Sequence, residues 1–440
     1  MAPSHYAAED AAISLTTPAA PPVAVTPSGG NRTPRLVLAG ILAAYLALAT
    51  GYSLAVRLNF APDEPWHFRY VESLAQGHFP SPAYTDAAQH PPLYYLLATP
   101  VWALASRVLP PDPAERVLRL FSALLGVGSV LVAYRLGKIM FAAERWALFA
   151  AAFVAFTPLF GVMSGVVNND SLTVLLSSLV MLQLITLPSP PTTRRLLALG
   201  GSLGLCLLTK QSTLALLPLV LPALWWATPT QHRLTTILRS LPPLCLPPAL
   251  LYGGWLLRNQ VAFGSQFIYT TIPAGQSQGQ ALLLAEPAFM LGAIARRSMG
   301  SIFFPEWVVR YWLGWAHWFT TLSALGLLLA VVGLAVAVRR GLMPPRLQQF
   351  CSLCLGLVLL LAAGLLAYIY LVDFRAMVGG RYFLPALPSL AVLVTGGVRG
   401  FVGGGRRREL AAVTLLVCLA LLFALGFLVA VGWHYQHLPQ

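Results

Sequence analysis

Charge is scarce in this sequence. Asp, Glu, Lys and Arg make up 10% of its 440 residues, against about one quarter in an ordinary soluble domain. That shortage excludes a water-soluble globular chain. Lysine is nearly absent: Lys138 and Lys210 stand alone, so the net charge of +14 comes from arginine. The arginines sit between apolar runs, as topology signals and contacts for anionic headgroups do, and nucleic acid is excluded as a partner. Cysteine is sparse, with 5 residues. Cys351 and Cys354 form a CxxC with no second ligand pair, which reads as small buried residues rather than a metal or redox centre. Strict alternation of apolar and polar residues is missing too, which excludes a β-barrel.

What the sequence has in quantity is apolar residue, at 57% with a mean hydropathy of +0.72. The runs repeatedly reach the ~20 residues that cross a bilayer. The expected fold class is an all-α polytopic membrane protein with about eleven transmembrane helices. A Pro/Ala/Ser/Thr-rich segment, 1–34, reads as a disordered cytoplasmic tail. The first run, Leu36–Val56, has no small-residue cleavage site after it and is expected to be a span rather than a signal peptide. Further spans are expected over Val117–Leu136, Trp146–Val166, Leu172–Leu187, Leu241–Leu257, Trp315–Val338, Phe350–Leu371, a stretch after Tyr382, and Leu410–Val431. Leu196–Ala227 is broken at Thr209–Ser212 and reads as two short spans with Lys210 between them. That parity keeps Arg233, Arg239, Arg339, Arg340, Arg346 and Arg406–Arg408 on the cytoplasmic side. The membrane domain then covers 35–432, with long external loops at about 57–115 and 258–312 and a short external tail, 433–440. Within the first loop, His67–Ala75 and Leu93–Ser106 read as interfacial helices.

Most acidic residues fall on the external side of this topology, although acids are weak topology signals. They gather in polar islands. APDEPWHFRY (Ala61–Tyr70) offers Asp63 and Glu64, with His67 one helical turn after Asp63. Adjacent carboxylates at a span end can take a proton, ligate a hard cation or hold a cationic group; solvated loop acids are the plainer reading. QHPPLYYLL (Gln89–Leu97) offers Gln89, His90, Tyr94 and Tyr95, hydrogen-bonding groups and flat rings that suit a sugar, or an aromatic belt at the membrane interface. Asn168–Asp170 could cap a helix, and a cap is compatible with a site. Lys210, Arg258, Arg375 and Arg381 stand at external span ends, where they either snorkel to headgroups or hold a phosphate. Carboxylates, a sugar-suited patch and cations at lipid depth together describe a site for a sugar on a lipid phosphate.

The ordered set PDEPWHF, QHPPLYYLL, VNNDS, LTKQS, LRN with a following glycine, and GRYFLPALP resembles the GT-C superfamily of integral-membrane glycosyltransferases. It is similar in particular to the bacterial aminoarabinose transferases, the protein O-mannosyltransferases and the Rgt-type enzymes. The resemblance implies a polyprenyl-phosphate sugar donor and a lipid, glycan or protein acceptor, joined at the extracytoplasmic face of a bacterial inner membrane. It implies catalytic roles for Asp63, Glu64 and Asp170, and substrate contacts for His67, Gln89, His90, Tyr94, Lys210, Arg258, Arg381 and Tyr382. A divalent metal, Mg or Mn, on Asp63 and Asp170 stays open under it. No large soluble domain is expected after the last span, a departure that weakens the case for a protein acceptor. A transporter or lipid flippase, and a non-catalytic protein on the same fold, are the competing readings.

Overall fold

A computed structural model describes residues 32–266, 285–305, 315–371 and 379–437. The expected tail over 1–31, Arg375, and parts of the second long loop lie outside the described residues. The described chain is helical throughout. In order it forms α1 (Arg32–Ala55), α2 (Glu64–Ala75), α3 (Leu93–Val108), α4 (Pro111–Met140), α5 (Glu144–Ala155), α6 (Pro158–Ser164), α7 (Asp170–Ile185), α8 (Thr193–Leu207), α9 (Val220–Ala227), α10 (Arg233–Phe263), α11 (Pro287–Ser301), α12 (Trp315–Arg339), α13 (Pro345–Leu371), α14 (Leu387–Val402) and α15 (Arg406–Gln436). Short 3-10 turns cover Asp86–Gln89, Gln211–Leu216 and Gly380–Ala386.

Each expected span coincides with a helix or a helix pair, but their lengths differ. Among the described residues, seven helices are long and apolar enough to cross a membrane, or eight if the pair α5–α6, bent by 60°, forms one span. The bend falls at Thr157–Pro158, where proline opens α6 and cannot continue the hydrogen bonding of α5. α7 and the stretch Gln211–Ala227 are apolar but shorter. α15 runs on to Gln436, so the expected C-terminal tail starts later than residue 433.

Close packing follows from small residues. At the α12–α14 crossing, a Cβ on Gly333 would lie 2.2 Å from the Gly397 carbonyl, and one on Gly400 would lie 1.9 Å from the Gly333 carbonyl. The two backbones are in contact, as small residues permit in membrane bundles. Tyr45 and Tyr52 of α1 are buried, and their hydroxyls donate to the carbonyls of Ala123 in α4 (3.2 Å) and Ala424 in α15 (3.1 Å). In a low-dielectric interior such groups need those partners.

The loop after α1 is fixed by one buried ion pair. Arg119, on α4, and Glu64, the first residue of α2, both have fully buried side chains. Arg119 Nε donates to Glu64 Oε1 at 2.8 Å and Nη2 to Oε2 at 2.7 Å, a bidentate fork. Its remaining donors reach the carbonyls of Ser53 and Val56 (both 2.7 Å) and Arg57 (3.0 Å). Those carbonyls lie around the C-terminal end of α1, where intrahelical partners run out. Glu64 Oε1 also accepts from the Val167 N–H at 2.9 Å, just ahead of α7. One salt bridge therefore joins α1, α2, α4 and the approach to α7.

Removing one partner leaves the other charge buried and unpaired, at a cost of about 3–5 kcal/mol. Arg119→Met and Glu64→Gln are each expected to lower the thermal midpoint and the monodisperse yield in detergent. A double variant Arg119→Met/Glu64→Leu should recover only part, because the Val56 carbonyl and the Val167 N–H lose the partners this pair gives them. Wild-type stability in Arg119→Met would remove the pair from this role.

Candidate active site

The three polar islands meet Lys210 and Arg381 at one end of the bundle. Asp63 precedes α2 with φ 63° and ψ −3°, in the left-handed region. Asp tolerates that conformation better than most residues, at roughly 1–2 kcal/mol. The Arg381 guanidinium, from the 3-10 turn Gly380–Ala386, bonds Asp63 Oδ2. The Asp63 side chain stays 46% exposed, against 19% for Arg381, so the carboxylate is open to a substrate. Burial pushes its acidity towards the neutral form, but Arg381, with His67 and His90, outweighs this and holds the carboxyl well below the usual carboxylate range.

A second ion pair lies beside the first. Asp170 opens α7, and Lys210 follows the end of α8 in an extended conformation. Their side chains are bonded to each other and are 5% and 11% exposed. The asparagines before Asp170 hold the turn. Asn168 Oδ1 accepts from the Asp170 N–H at 2.7 Å, and Asn169 Nδ2 donates to the Thr209 carbonyl at 3.1 Å. The expected side-chain cap is not made: Asn169 holds the N-cap position but turns its amide to the chain beside Lys210, and Asn168 closes the turn ahead of it.

Tyr382 joins the two pairs. Lys210 Nζ lies 5.7 Å from its ring centroid and the Arg381 guanidinium 5.5 Å, both within cation–π range. Arg381 owes its place to Gly380. A Cβ there would sit 2.2 Å from the Ser301 and Ile302 backbone, and the Gly380 N–H donates to Ser301 Oγ at 2.6 Å. Only glycine allows this approach to the end of α11.

Beneath Asp63 lies an aromatic layer. His67 is buried, with Nδ1 2.6 Å from the Tyr95 hydroxyl. Its ring stacks on His90 at 5.3 Å and on Tyr95 at 5.8 Å, and Tyr95 stacks on Tyr70 at 3.7 Å. Burial drives the His67 imidazole down to about 4, partly opposed by Asp63 and Asp170. Burial, with His67 and Lys210 beside it, likewise lowers His90 well below the ordinary histidine value.

Of the residues singled out in the sequence, Asp63, His67, His90, Asp170, Lys210, Arg381 and Tyr382 come together here. Gln89 ends the 3-10 turn next to His90. Tyr94 is buried against Ser122 of α4, 2.7 Å between oxygens, and supports the layer from behind. Glu64 departs from the expected Asp63–Glu64 pair: its carboxylate is consumed by Arg119 and the Val167 N–H. Neighbouring residues at a helix start point about 100° apart, which carries Glu64 inward while Asp63 faces out. Arg258 also stands apart from the two ion pairs. Its guanidinium donates to the Pro80 carbonyl at 2.9 Å and covers Phe79 at 4.7 Å, clamping the loop after α2 onto α10. Tyr95, expected with Tyr94 as a flat aromatic face, lies in this layer against His67, whereas Tyr70 and Arg119 were not anticipated. The available signal for Arg119 was a charge at the third position of the apolar run Val117–Leu136. As for a metal, Asp63 and Asp170 each face a cation, and among the described residues no group of three or more His, Cys, Asp or Glu side chains is gathered to hold an ion.

Residues 89–252 match the model of the dolichyl-phosphate-mannose-protein mannosyltransferase family. No curated protein matches the sequence. Among solved structures, the Archaeoglobus fulgidus oligosaccharyltransferase tethered to an acceptor peptide has a TM-score of 0.54 at 14% identity, over 93% of this chain and 56% of that one. ArnT from Cupriavidus metallidurans bound to undecaprenyl phosphate has a TM-score of 0.48 at 17% identity, over 83% of this chain and 59% of that one. The S. cerevisiae protein O-mannosyltransferase complex bound to the sugar donor has a TM-score of 0.42 at 19% identity, over 53% and 34%. This chain thus spans no more than about three-fifths of these proteins' lengths. The fold is that of the GT-C membrane glycosyltransferases, as the ordered motifs implied.

The depressed imidazole has a consequence for stability. The unfolded chain takes up a proton near pH 6.5 and the folded chain only near 4. Stability is therefore full above about pH 6.5 and falls as pH drops towards 4, by up to ~3 kcal/mol from this group; His90 adds a slope of the same sign. The thermal midpoint of His67→Asn should change less between pH 7 and pH 4.5 than that of wild type. Parallel pH profiles would show that His67 contributes nothing to the acid sensitivity.

Proposed function

We propose that the protein is a membrane glycosyltransferase. It moves a sugar from a polyprenyl-phosphate-linked donor to a lipid, glycan or protein acceptor at the extracytoplasmic face. The observation that carries this reading is the paired arrangement Asp63–Arg381 and Asp170–Lys210 around Tyr382. It offers one open carboxylate beside two cations at the end of an apolar bundle.

The charges divide by exposure. Asp63 is the open acid and acts on the acceptor. Asp170 is nearly buried and serves to aim Lys210. In the resting site Arg381 suppresses the basicity of Asp63. A donor phosphate competes for Arg381 and Lys210, so its arrival frees the carboxylate and raises its proton affinity. The acceptor hydroxyl oxygen then attacks the anomeric carbon as the bond from that carbon to the phosphate oxygen breaks. The hydroxyl proton passes to Asp63. The departing polyprenyl phosphate keeps the electron pair, and its growing charge is met by Arg381 and Lys210. Neutral His67 and His90 line the floor with hydrogen-bonding groups and add no competing charge.

Purified protein offered radiolabelled polyprenyl-phosphate sugars, with crude lipid and glycan acceptors, is expected to transfer or hydrolyse one of them. Asp63→Asn should lose about 10²–10⁴-fold in turnover while remaining monodisperse. Arg381→Ala should weaken donor binding by about ten- to hundredfold, the worth of a charged hydrogen bond. A fully active Asp63→Asn variant would remove the proposed base. Failure of every donor with folded wild-type protein would favour the transporter and scaffold readings.

A further inference from the structure

Helix α2 has two unlike faces. Glu64, His67, Tyr70 and Val71 are buried, whereas Asp63, Trp66 and Arg69 are exposed. The exposed three recur at i, i+3 and i+6 and so form a row along one side of the helix. At 1.5 Å per residue it is roughly 9 Å long. A carboxylate stands at one end, an indole in the middle and a guanidinium at the other end. The Trp66 ring is 37% exposed, and the Arg69 guanidinium lies 4.9 Å from its centroid. Thr85 Oγ donates to the Trp66 carbonyl at 2.7 Å, which ties the loop residue after Tyr84 to α2. Tyr84 is itself 47% exposed and stacks on His78 at 4.6 Å. Neither Trp66 nor Arg69 has a part in the transfer step above.

We propose that Asp63, Trp66 and Arg69 form an acceptor subsite for a glycan end that carries an acidic sugar. This rests on the glycosyltransferase reading and adds the acceptor's chemical class to it. The apolar face of the acceptor sugar lies on Trp66. Its carboxylate or phosphate meets the Arg69 fork, which suits a planar oxyanion. The hydroxyl to be glycosylated is thereby delivered to Asp63, one helical turn away. A bilayer anchor would need a broad apolar face. This row instead sets one ring between an acid and a guanidinium, so a polar ligand with one flat apolar surface fits it better than lipid does.

The test uses the full chain in nanodiscs with whichever donor it turns over. The acceptors are synthetic lipid-linked disaccharides ending in glucose, glucuronic acid or glucose 6-phosphate. Trp66→Ala should raise the KM for both acidic acceptors at least about tenfold, with kcat and donor affinity little changed, and Trp66→Phe should restore most of it. Arg69→Gln should raise the KM for the acidic acceptors and leave that for the glucose-ended one in place. The uronate and phosphate arms tell which anion is preferred. An unchanged KM in Trp66→Ala, equal effects of Arg69→Gln on all three acceptors, or a loss that tracks weaker membrane retention would each overturn the subsite. Equilibrium binding of the fluorescent glucuronyl disaccharide, measured without donor, separates the two claims. Wild-type binding that Trp66→Ala weakens, in a protein that turns over no donor, would sink the transferase reading alone. Binding that is absent, or equal in both proteins, would sink the subsite whatever the donor result.

Discussion

The buried fork between Arg119 and Glu64 is the constraint on which the site depends. Two charges held away from water are costly, and mutual attraction alone does not repay that. Here the guanidinium also satisfies three backbone carbonyls around the end of α1, and the carboxylate also satisfies a backbone N–H ahead of α7. Arg116 also reaches the Ser53 carbonyl and the Phe60 N–H the Arg57 carbonyl, so it is the Val56 carbonyl that depends most on Arg119. The arrangement is therefore stable only when α1, α2, α4 and the α7 approach lie together. Asp63 immediately precedes Glu64, and its left-handed backbone is tolerated because the next residue is immobilised.

A second principle governs the site itself. Its charges are nearly all paired, and the pairs differ in how far they are open to solvent. Asp170–Lys210 is closed and sets position, whereas Asp63–Arg381 is half open and can exchange partners. Burial keeps the histidines below them neutral, so the local balance is decided by the two pairs alone. Adding one anionic group to such a site must redistribute the cations, which makes it responsive to a phosphate.

Much of this was legible in the sequence because rare residues in an apolar chain carry information. Asp63, Asp170, Lys210 and Arg381 could be singled out because so few charges compete with them. The Lys210 break and the α2 and α3 helices of the first loop were visible in the same way. What the sequence could not resolve was direction. Glu64 sits next to Asp63 in the chain and on the other side of the helix in space. Arg258 has the same span-end position as Arg381 but reaches a loop carbonyl instead of a carboxylate. Arg119 passed as part of an apolar span, since its partners are mostly backbone atoms, which no side-chain pattern reveals. The number of spans also stayed soft, because short and bent helices satisfy a bundle without meeting a length rule.

In both ion pairs the acid precedes its cation in the chain, by 40 residues in Asp170–Lys210 and by 318 in Asp63–Arg381. Both acids precede residue 171 and both cations follow residue 209. During synthesis the acids are thus set in place while no cation is yet available to them, and Asp63 waits for nearly the whole polypeptide. The pocket reaches electrical balance only when the 3-10 turn behind Gly380 docks on α11. Until that turn is made, Asp63 lacks the cation that the finished site gives it, so closure of the site requires nearly the whole chain.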